Sequence, residues 1–444
     1  MHKSSFLTVF FALTLHFLFA QSALNTAGID SVLNVFQQHD KIWGSLSIRQ
    51  NGQTVYNKAT GYAWAGHRMP DAQTQYRIGS ITKVFTAVMI MQLVEEGKLG
   101  LDATIDQWFL HIPNAGKITV RHLLSHASGL HNFTDDADYE GYMTQPQTSD
   151  EMLERFAQLA PDFEPGTKNE YSNTNYVLLG YLIEKLDRRA YGASLQARIA
   201  VPLGLKRTAF GKKIDVENNQ AESYRMVDNH WAPESETDMS IPHGAGAIVS
   251  TPGDLCIFFE ALFEGKLLKQ SSVQQMCYLK NGYGMGIFQV PFHERRGWFH
   301  NGGIDGFQSN AVYFPDDKTA VAFTGNAFST DLNALMIGVL SKVFGKPYKM
   351  PTFQSLSLSD AQLGRCAGNY ASDQLPLKFK VWAENQKLMA QATGQSAFPL
   401  DADSETEFRF DVAGIKILFG DLRDGLFHTL TIKQAGQSFT FQRE

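Results

Sequence analysis

The sequence predicts an α+β protein: an antiparallel sheet flanked by helices, with an all-helical subdomain, followed by a small C-terminal antiparallel β-barrel or sandwich. Three observations lead there. Strand-like stretches lie on either side of a long helical middle, so the two halves of the sheet come from distant sequence. At 444 residues the chain exceeds what one hydrophobic core usually organises, so two domains are expected. Beyond Leu358 the texture changes to short strands at the spacing of a small all-β domain.

The elements follow in order. Residues 1–20 read as an export signal: His2 and Lys3 make a polar start, Phe6 to Ala20 is largely apolar, and Ala20 or Ala23 offers a small residue for cleavage. That apolar run falls short of the ~20 residues a spanning helix needs, so a secreted or periplasmic protein without a stable membrane span is expected. Residues 24–346 form the predicted main domain. A helix runs from Gly28 to His39, and strands Ser45–Arg49 and Thr54–Tyr62 are joined through Asn51-Gly52, a strong hairpin turn. Ser80 opens a helix that closes near Gly97; its apolar residues fall on nearly every face, which predicts a central, buried position. Helices are predicted at Thr119–His126, Ser149–Leu159, Asn175–Leu186 and Gly253–Phe263. Strands return at Trp298–His300, Gln308–Phe314 and Thr319–Gly325, before a helix from Asp331 to Val343.

Gly345, Pro347 and Pro351 mark a linker, residues 347–358, and residues 359–444 form the predicted β-domain. Its strands are Leu377–Trp382, Lys387–Gln391, Phe408–Phe410, Ile415–Phe419, Leu426–Ile432 and Phe439–Phe441. Phe379, Val381, Met389, Phe408, Phe410, Ile415, Ile417 and Phe419 are its expected core. No catalytic residue is expected there.

Composition narrows the function. The chain is 43% hydrophobic and 19% charged, as a folded soluble protein should be. A formal charge of −6 and the lack of any Lys/Arg run argue against nucleic acid as a partner. Of three cysteines, Cys256 reads as a buried small hydrophobe, and Cys277 and Cys366 are left open to pairing.

Three motifs carry chemistry. In Ser80-Ile81-Thr82-Lys83, serine and lysine project from one helical face a turn apart. A serine hydroxyl needs a base, and a lysine can serve once burial lowers its pKa. Tyr171-Ser172-Asn173 places a phenol able to shuttle a proton beside an amide able to hold lysine and substrate. His300-Asn301-Gly302-Gly303 ends a strand, where glycines let backbone approach a bound acyl group and an N–H can help hold an oxyanion.

Taken in order over Leu33 to Val343, these motifs resemble the serine β-lactamase and penicillin-binding protein superfamily. Flanking segments strengthen the likeness: Tyr76-Arg77-Ile78-Gly79, Ile118 to Leu130, Pro202-Leu203-Gly204-Leu205, Gly244-Ala245-Gly246 and Ser250-Thr251-Pro252. The tyrosine of the second motif resembles class C β-lactamases, D-alanyl-D-alanine carboxypeptidases, D-aminopeptidases and related esterases. The resemblance implies Ser80 as nucleophile, Lys83 as base and Tyr171 as proton relay. It implies Asn173, His300, Gly302 and Gly303 as substrate-binding residues, with the Ser80 and Gly303 N–H groups at the oxyanion. His300 departs from the lysine of β-lactamases and is charged only partly near neutral pH.

The implied substrate is a small molecule or peptide: D-alanyl peptides of the cell wall first, β-lactams or esters as alternatives, and a slowly turning-over peptidoglycan-binding sensor as an alternative of another class. No cofactor or metal is implied. His122 and His126 have helical ligand spacing but lack the Glu of His-Glu-x-x-His. No Gly-x-Ser-x-Gly elbow exists, Gly282, Gly284 and Gly286 do not make a dinucleotide fingerprint, and the Asn132-Phe133-Thr134 sequon reads as incidental.

Overall fold

Two strands with long apolar alternation, Phe307–Phe314 and Thr319–Phe328, form the middle of the main sheet. Successive side chains of a strand face opposite ways, so each strand serves two cores. Val312, Phe314, Val321 and Phe323 join the core under helices Thr26–Gln38 and Leu332–Val343; Ala311, Tyr313, Ala320 and Ala322 join the larger core shared with helix Pro252–Phe263. The computed structural model describes residues 24–227, 230–373, 375, 377–395, 397–434 and 437–444. The predicted export signal lies outside them. Among the described residues no helix is long and apolar enough to cross a membrane.

The sheet order is Gln53–Thr60, Ile42–Gln50, Thr319–Phe328, Phe307–Phe314, Arg295–Ile304 and Phe288–Phe292, antiparallel throughout this path. N-terminal and C-terminal strands therefore meet in the centre, as expected. Strand Phe288–Phe292 escaped the sequence reading because Pro291 interrupts it; it is an edge strand, where a missing N–H is tolerated. A further hairpin, Tyr224–Val227 with His230–Pro233, attaches through Tyr224 beside Ala327. Asn51 and Gly52 take positive φ in the predicted two-residue turn.

Helix Thr82–Glu95 buries eleven of its fourteen residues, which accounts for its apolar character on all sides. Ser80 lies in a single 3₁₀ turn, Gly79–Ile81, that feeds this helix, rather than in its first α-turn as predicted. Thr119–His126 shortens to Val120–Leu124, capped by Thr119, because His126 takes a left-handed φ of 54°.

The C-terminal strands close into an eight-stranded barrel, which decides barrel over sandwich. Two strands were not predicted: Gly368–Ala371, which is short and rich in small residues, and Phe398–Ala402, which contains Pro399. Met389 is only half-buried. Val381 pairs with Ala390, so Leu388 and Ala390 face the barrel core and Met389 faces away. Stretch 347–358 is packed rather than loose: Tyr348, Met350 and Phe353 lie on the core under the terminal helices, and Leu356 N–H donates to Ala402 in the barrel. All three cysteines are free; Cys366 lies in the barrel core and Cys277 against the main core, so they do not pair.

Glu260, almost fully buried, ties the first hairpin to helix Pro252–Phe263 by pairing with Arg49 and accepting the Gly52 N–H at 2.7 Å. Glu260→Ala leaves a half-buried guanidinium without its carboxylate. Urea unfolding should show a loss of about 3 kcal/mol, the scale for breaking a buried pair.

Candidate active site

The nucleophile turn and the third motif meet backbone to backbone. Gly79 has φ of 49°, and a Cβ there would come within 2.7 Å of Gly303 N; a Cβ on Gly302 would come within 1.9 Å of the Ile78 carbonyl oxygen. Ser309 Oγ donates to that same carbonyl at 2.8 Å. Just before the turn, buried Arg77 donates to Asp305 Oδ2 (2.8 Å) and to the Thr237 carbonyl (2.8 Å), locking the segment to the end of the third-motif strand. Strand Phe288–Phe292 pairs with this strand only as far as Phe299, so residues 300–304 present a free edge beside Ser80.

Lys83 is fully buried. Its Nζ lies 2.9 Å from Ser80 Oγ, 2.8 Å from Asn173 Oδ1 and 2.9 Å from the Ala245 carbonyl oxygen. Burial holds the amine well below the ordinary lysine range. Its neutral form has two hydrogens and one lone pair. The amide oxygen of Asn173 and the carbonyl of Ala245 can only accept, so they take the hydrogens, and the lone pair faces Ser80 Oγ. Tyr171 OH donates to Ser80 Oγ at 2.7 Å. Burial raises the Tyr171 phenol above its ordinary value, with the Ser80 hydrogen bond opposing, so it stays protonated. The hydrogens then run in one direction, from Tyr171 to Ser80 to Lys83.

Supporting groups hold this chain. Asn173 begins helix Asn173–Asp187; its N–H donates to Asn132 Oδ1 (2.8 Å) and its Nδ2 to Thr134 Oγ1 (3.1 Å), which aims Oδ1 at Lys83. Asn132 and Thr134 of the sequon thus hold Asn173 in place. No sequence spacing pairs Asn132 and Thr134 with Asn173; only the polar loop after the Ile118–Leu130 segment hinted at it. His126 stacks on Tyr171 with ring centroids 4.5 Å apart, and its Nδ1 accepts the Ser172 N–H at 3.1 Å. His122 Nδ1 accepts the Thr119 N–H at its own helix start. Both histidines therefore have scaffold contacts. Among the described residues no group of side chains suits a metal ion.

His300 is 3% exposed. Its Nδ1 lies 2.5 Å from the Asn301 carbonyl oxygen, so Nδ1 carries the hydrogen and Nε2 the bare lone pair. Burial foremost pushes its pKa down to about 3. Burial favours the neutral ring over the partial charge of a free imidazole. Two cavities meet at Ser80 and Gly303. One, of about 420 Å³, includes Asn173, Tyr139 and Glu140; the other, of about 710 Å³, includes Tyr171, His300, Phe288 and Leu332.

Comparison with known proteins fits this geometry. Residues 32–336 match the family model described as Beta-lactamase. The chain belongs to the Beta-lactamase family. It is a serine hydrolase of the β-lactamase and penicillin-binding protein type. A penicillin-binding protein of Bacillus subtilis (strain 168) is 27% identical over 85% of this chain and 89% of its own length. The D-amino acid amidase of Ochrobactrum anthropi SV3, solved with L-phenylalanine amide, superposes with a TM-score of 0.64 at 27% identity, over 72% of this chain and 99% of that one. The octameric penicillin-binding protein homologue of Pyrococcus abyssi has the same fold over 94% of this chain and all of its own, with a TM-score of 0.66 at 23% identity.

In this family member, ring ¹⁵N spectra should show His300 as an Nδ1–H tautomer that does not change between roughly pH 5 and 8. His131, whose pKa Asp162 raises, should titrate above the ordinary histidine value in the same spectra. A His300 signal, assigned by its loss in His300→Gln, that protonates near pH 6 would contradict the buried neutral ring.

Proposed function

We propose that this chain is an exported hydrolase that cleaves amide or ester bonds of small D-alanyl compounds of the cell envelope through an acyl-enzyme on Ser80. The carrying observation is the hydrogen-bonded chain of Tyr171, Ser80 and buried Lys83, with Ser80 lining both cavities. Relatives support the substrate class: beside the D-amino acid amidase, the teichoic acid D-alanine hydrolase of Staphylococcus aureus is 24% identical over 63% of this chain and 69% of its own length. The apolar run after Lys3 supports export.

The steps follow from the contacts. Neutral Lys83 takes the Ser80 proton as Oγ attacks the carbonyl carbon. The oxyanion is held by the N–H groups of Ser80 and Gly303, which the close approach of Gly79 and Gly303 brings together. On collapse, Tyr171 gives its proton to the leaving nitrogen or oxygen and is refilled from Lys83, so the amine returns neutral. Water then attacks the acyl-enzyme and sends its proton back along the same groups.

Intact mass after treatment with a fluorophosphonate should show one adduct that Ser80→Ala removes; an adduct unchanged in that variant would overturn the assignment. Lys83→Ala should lower kcat/KM by about 10³ or more, as for groups acting as one unit. Because the Lys83 pKa is lowered, activity should be lost only as pH falls through that lowered value, so kcat/KM should already be level well below the ordinary lysine range.

We further propose that residues 359–444 are a separate unit without a catalytic residue. None of them lines either cavity, and the barrel has its own core. A chain ending at Phe353, which retains the packed Tyr348, Met350 and Phe353, should stay folded by circular dichroism and still label at Ser80. A folded but unlabelled chain would show that the barrel completes the site.

A further inference from the structure

Ala245 meets Lys83 through a backbone oxygen, and such an oxygen stays in place only if its turn is held. The turn His243–Gly246 is a single helical turn that begins in a strained conformation. His243 has φ of 35°, in a region that residues with a side chain rarely occupy. Strain of this kind persists only where the surroundings impose it. Two sets of contacts do so here, and both lie outside the space around Ser80.

The first set captures carbonyl groups. Thr86 follows Lys83 by three residues, so both side chains leave one face of helix Thr82–Glu95. Thr86 Oγ1 donates to the Gly244 carbonyl oxygen at 2.6 Å, while Lys83 Nζ lies 2.9 Å from that of Ala245. Neighbouring side chains on the helix thus take successive carbonyls of the turn. Thr86 Oγ1 is also 2.7 Å from Tyr191 OH. The threonine hydrogen is committed to Gly244, so Tyr191 is the donor in that contact. Thr86 and Tyr191 are both buried.

The second set fixes the strained residue itself. The His243 ring lies against Gly180, where a Cβ would come within 2.4 Å of Nδ1. The rings of Tyr181 and Tyr191 are 4.7 and 5.1 Å away between centroids. Nε2 is 3.4 Å from Glu184 Oε1, the same oxygen that accepts the Tyr191 N–H at 2.7 Å. Glu184 therefore ties the start of the turn to the residue whose hydroxyl supports Thr86. Glu184, Tyr191 and His243 line a cavity of about 420 Å³ that shares no residue with the two at Ser80, and Thr86 lines neither of those two.

The consequence falls on Lys83. In the neutral amine, the Asn173 and Ala245 oxygens take the two hydrogens and leave the lone pair for Ser80 Oγ. Should the Ala245 oxygen withdraw, one hydrogen loses its acceptor and the amine is free to turn its lone pair away.

We propose that Thr86, Tyr191 and the Glu184–His243 pair are positioning residues for the reaction: from outside the substrate's space they hold the Gly244 and Ala245 carbonyls against helix Thr82–Glu95, and so keep Lys83 aimed at Ser80. This rests on the reading of Lys83 as the base for Ser80 and deepens it.

The test is the rate of fluorophosphonate labelling of Ser80 in the full-length enzyme, followed by intact mass, for wild type, Thr86→Val, Thr86→Ser and His243→Asn. Valine keeps the branched shape and removes the hydroxyl, and serine keeps the hydroxyl. Asparagine tolerates the left-handed backbone but is too short to reach Glu184. Thr86→Val and His243→Asn should label to the wild-type extent but on the order of tenfold more slowly, in the maximal rate rather than the half-saturating concentration, as for a misplaced catalytic group. Thr86→Ser should label at close to the wild-type rate. A merely structural role would instead lower the extent of labelling, because fewer chains are folded, and leave the rate of the folded ones unchanged. A wild-type rate in folded Thr86→Val or His243→Asn overturns the assignment, as does a Thr86→Ser enzyme as slow as Thr86→Val. If circular dichroism shows Thr86→Val unfolded, the rate of His243→Asn decides alone. A wild-type enzyme that does not label at Ser80 overturns the hydrolase reading, and this inference with it.

Discussion

Placing a lysine amine inside an apolar helix is the constraint around which the site is arranged. Helix Thr82–Glu95 is buried on nearly every face, so Lys83 has no route to water. A buried ammonium without a counterion is costly, and no carboxylate faces Nζ; it meets three neutral oxygens instead. Burial therefore disfavours the amine's charge, and the acceptors around it must be supplied by distant segments. Asn173 comes from the start of the next long helix and Ala245 from the turn His243–Gly246. That turn can reach Lys83 only because Gly244 packs on helix Asn173–Asp187, where a Cβ would come within 2.5 Å of the Tyr176 carbonyl oxygen. The same burial that lowers the lysine's pKa thus dictates where two other elements sit.

A second close approach joins this helical half to the sheet. Gly79 and Gly302 interleave the nucleophile turn with the third-motif strand at distances no side chain permits, and the Arg77–Asp305 pair fixes their register. A buried ion pair adds little net stability once desolvation is counted, so its contribution is better seen as geometric. Arg77 also binds carbonyls of Thr237 and Lys212, so loop, sheet and nucleophile turn share one guanidinium. One outcome is that the free edge at residues 300–304 runs past Ser80 and divides the open space into two compartments.

What the sequence disclosed follows from what is local. Ser80 and Lys83 share one helical turn, Tyr171 and Asn173 flank one residue, and His300 to Gly303 are contiguous, so their pattern survives in one dimension. The alternation at Gln308–Phe314 and the Asn51-Gly52 turn are likewise short-range, and both read correctly. Groups whose role depends on pairing across the chain stayed hidden. Asn132 and Thr134 acquire meaning only beside Asn173, and Arg77 only beside Asp305. The Ala245 oxygen is backbone and has no residue-type signal. Two of the missed strands share a local reason: Pro291 and Pro399 weaken the strand pattern, although an edge and a barrel wall accommodate them; Gly368–Ala371 is short and rich in small residues. His300 was found but its state was not, because tautomer and charge depend on burial and on the Asn301 carbonyl rather than on residue type.

The barrel meets the site only at its margin. Its turn at Asp411–Ala413 ends in Gly414, where a Cβ would come within 2.8 Å of Asp331 Oδ2, and Lys41 reaches Asp411 at 3.5 Å. Asp331 in turn caps helix Leu332–Val343 and walls the larger cavity. The barrel is thus in contact with a wall of the larger cavity, and none of its described residues lines the smaller one. Ser80 is contacted by Lys83 and Tyr171, and Lys83 by Asn173, all from the helical half. The wall of the larger cavity includes His300, the sheet edge and an aspartate against which the barrel rests. The contacts of Ser80 and the wall of the larger cavity therefore depend on different parts of the chain, and substitutions on the barrel side can reshape that cavity without disturbing the hydrogen bonds around Ser80.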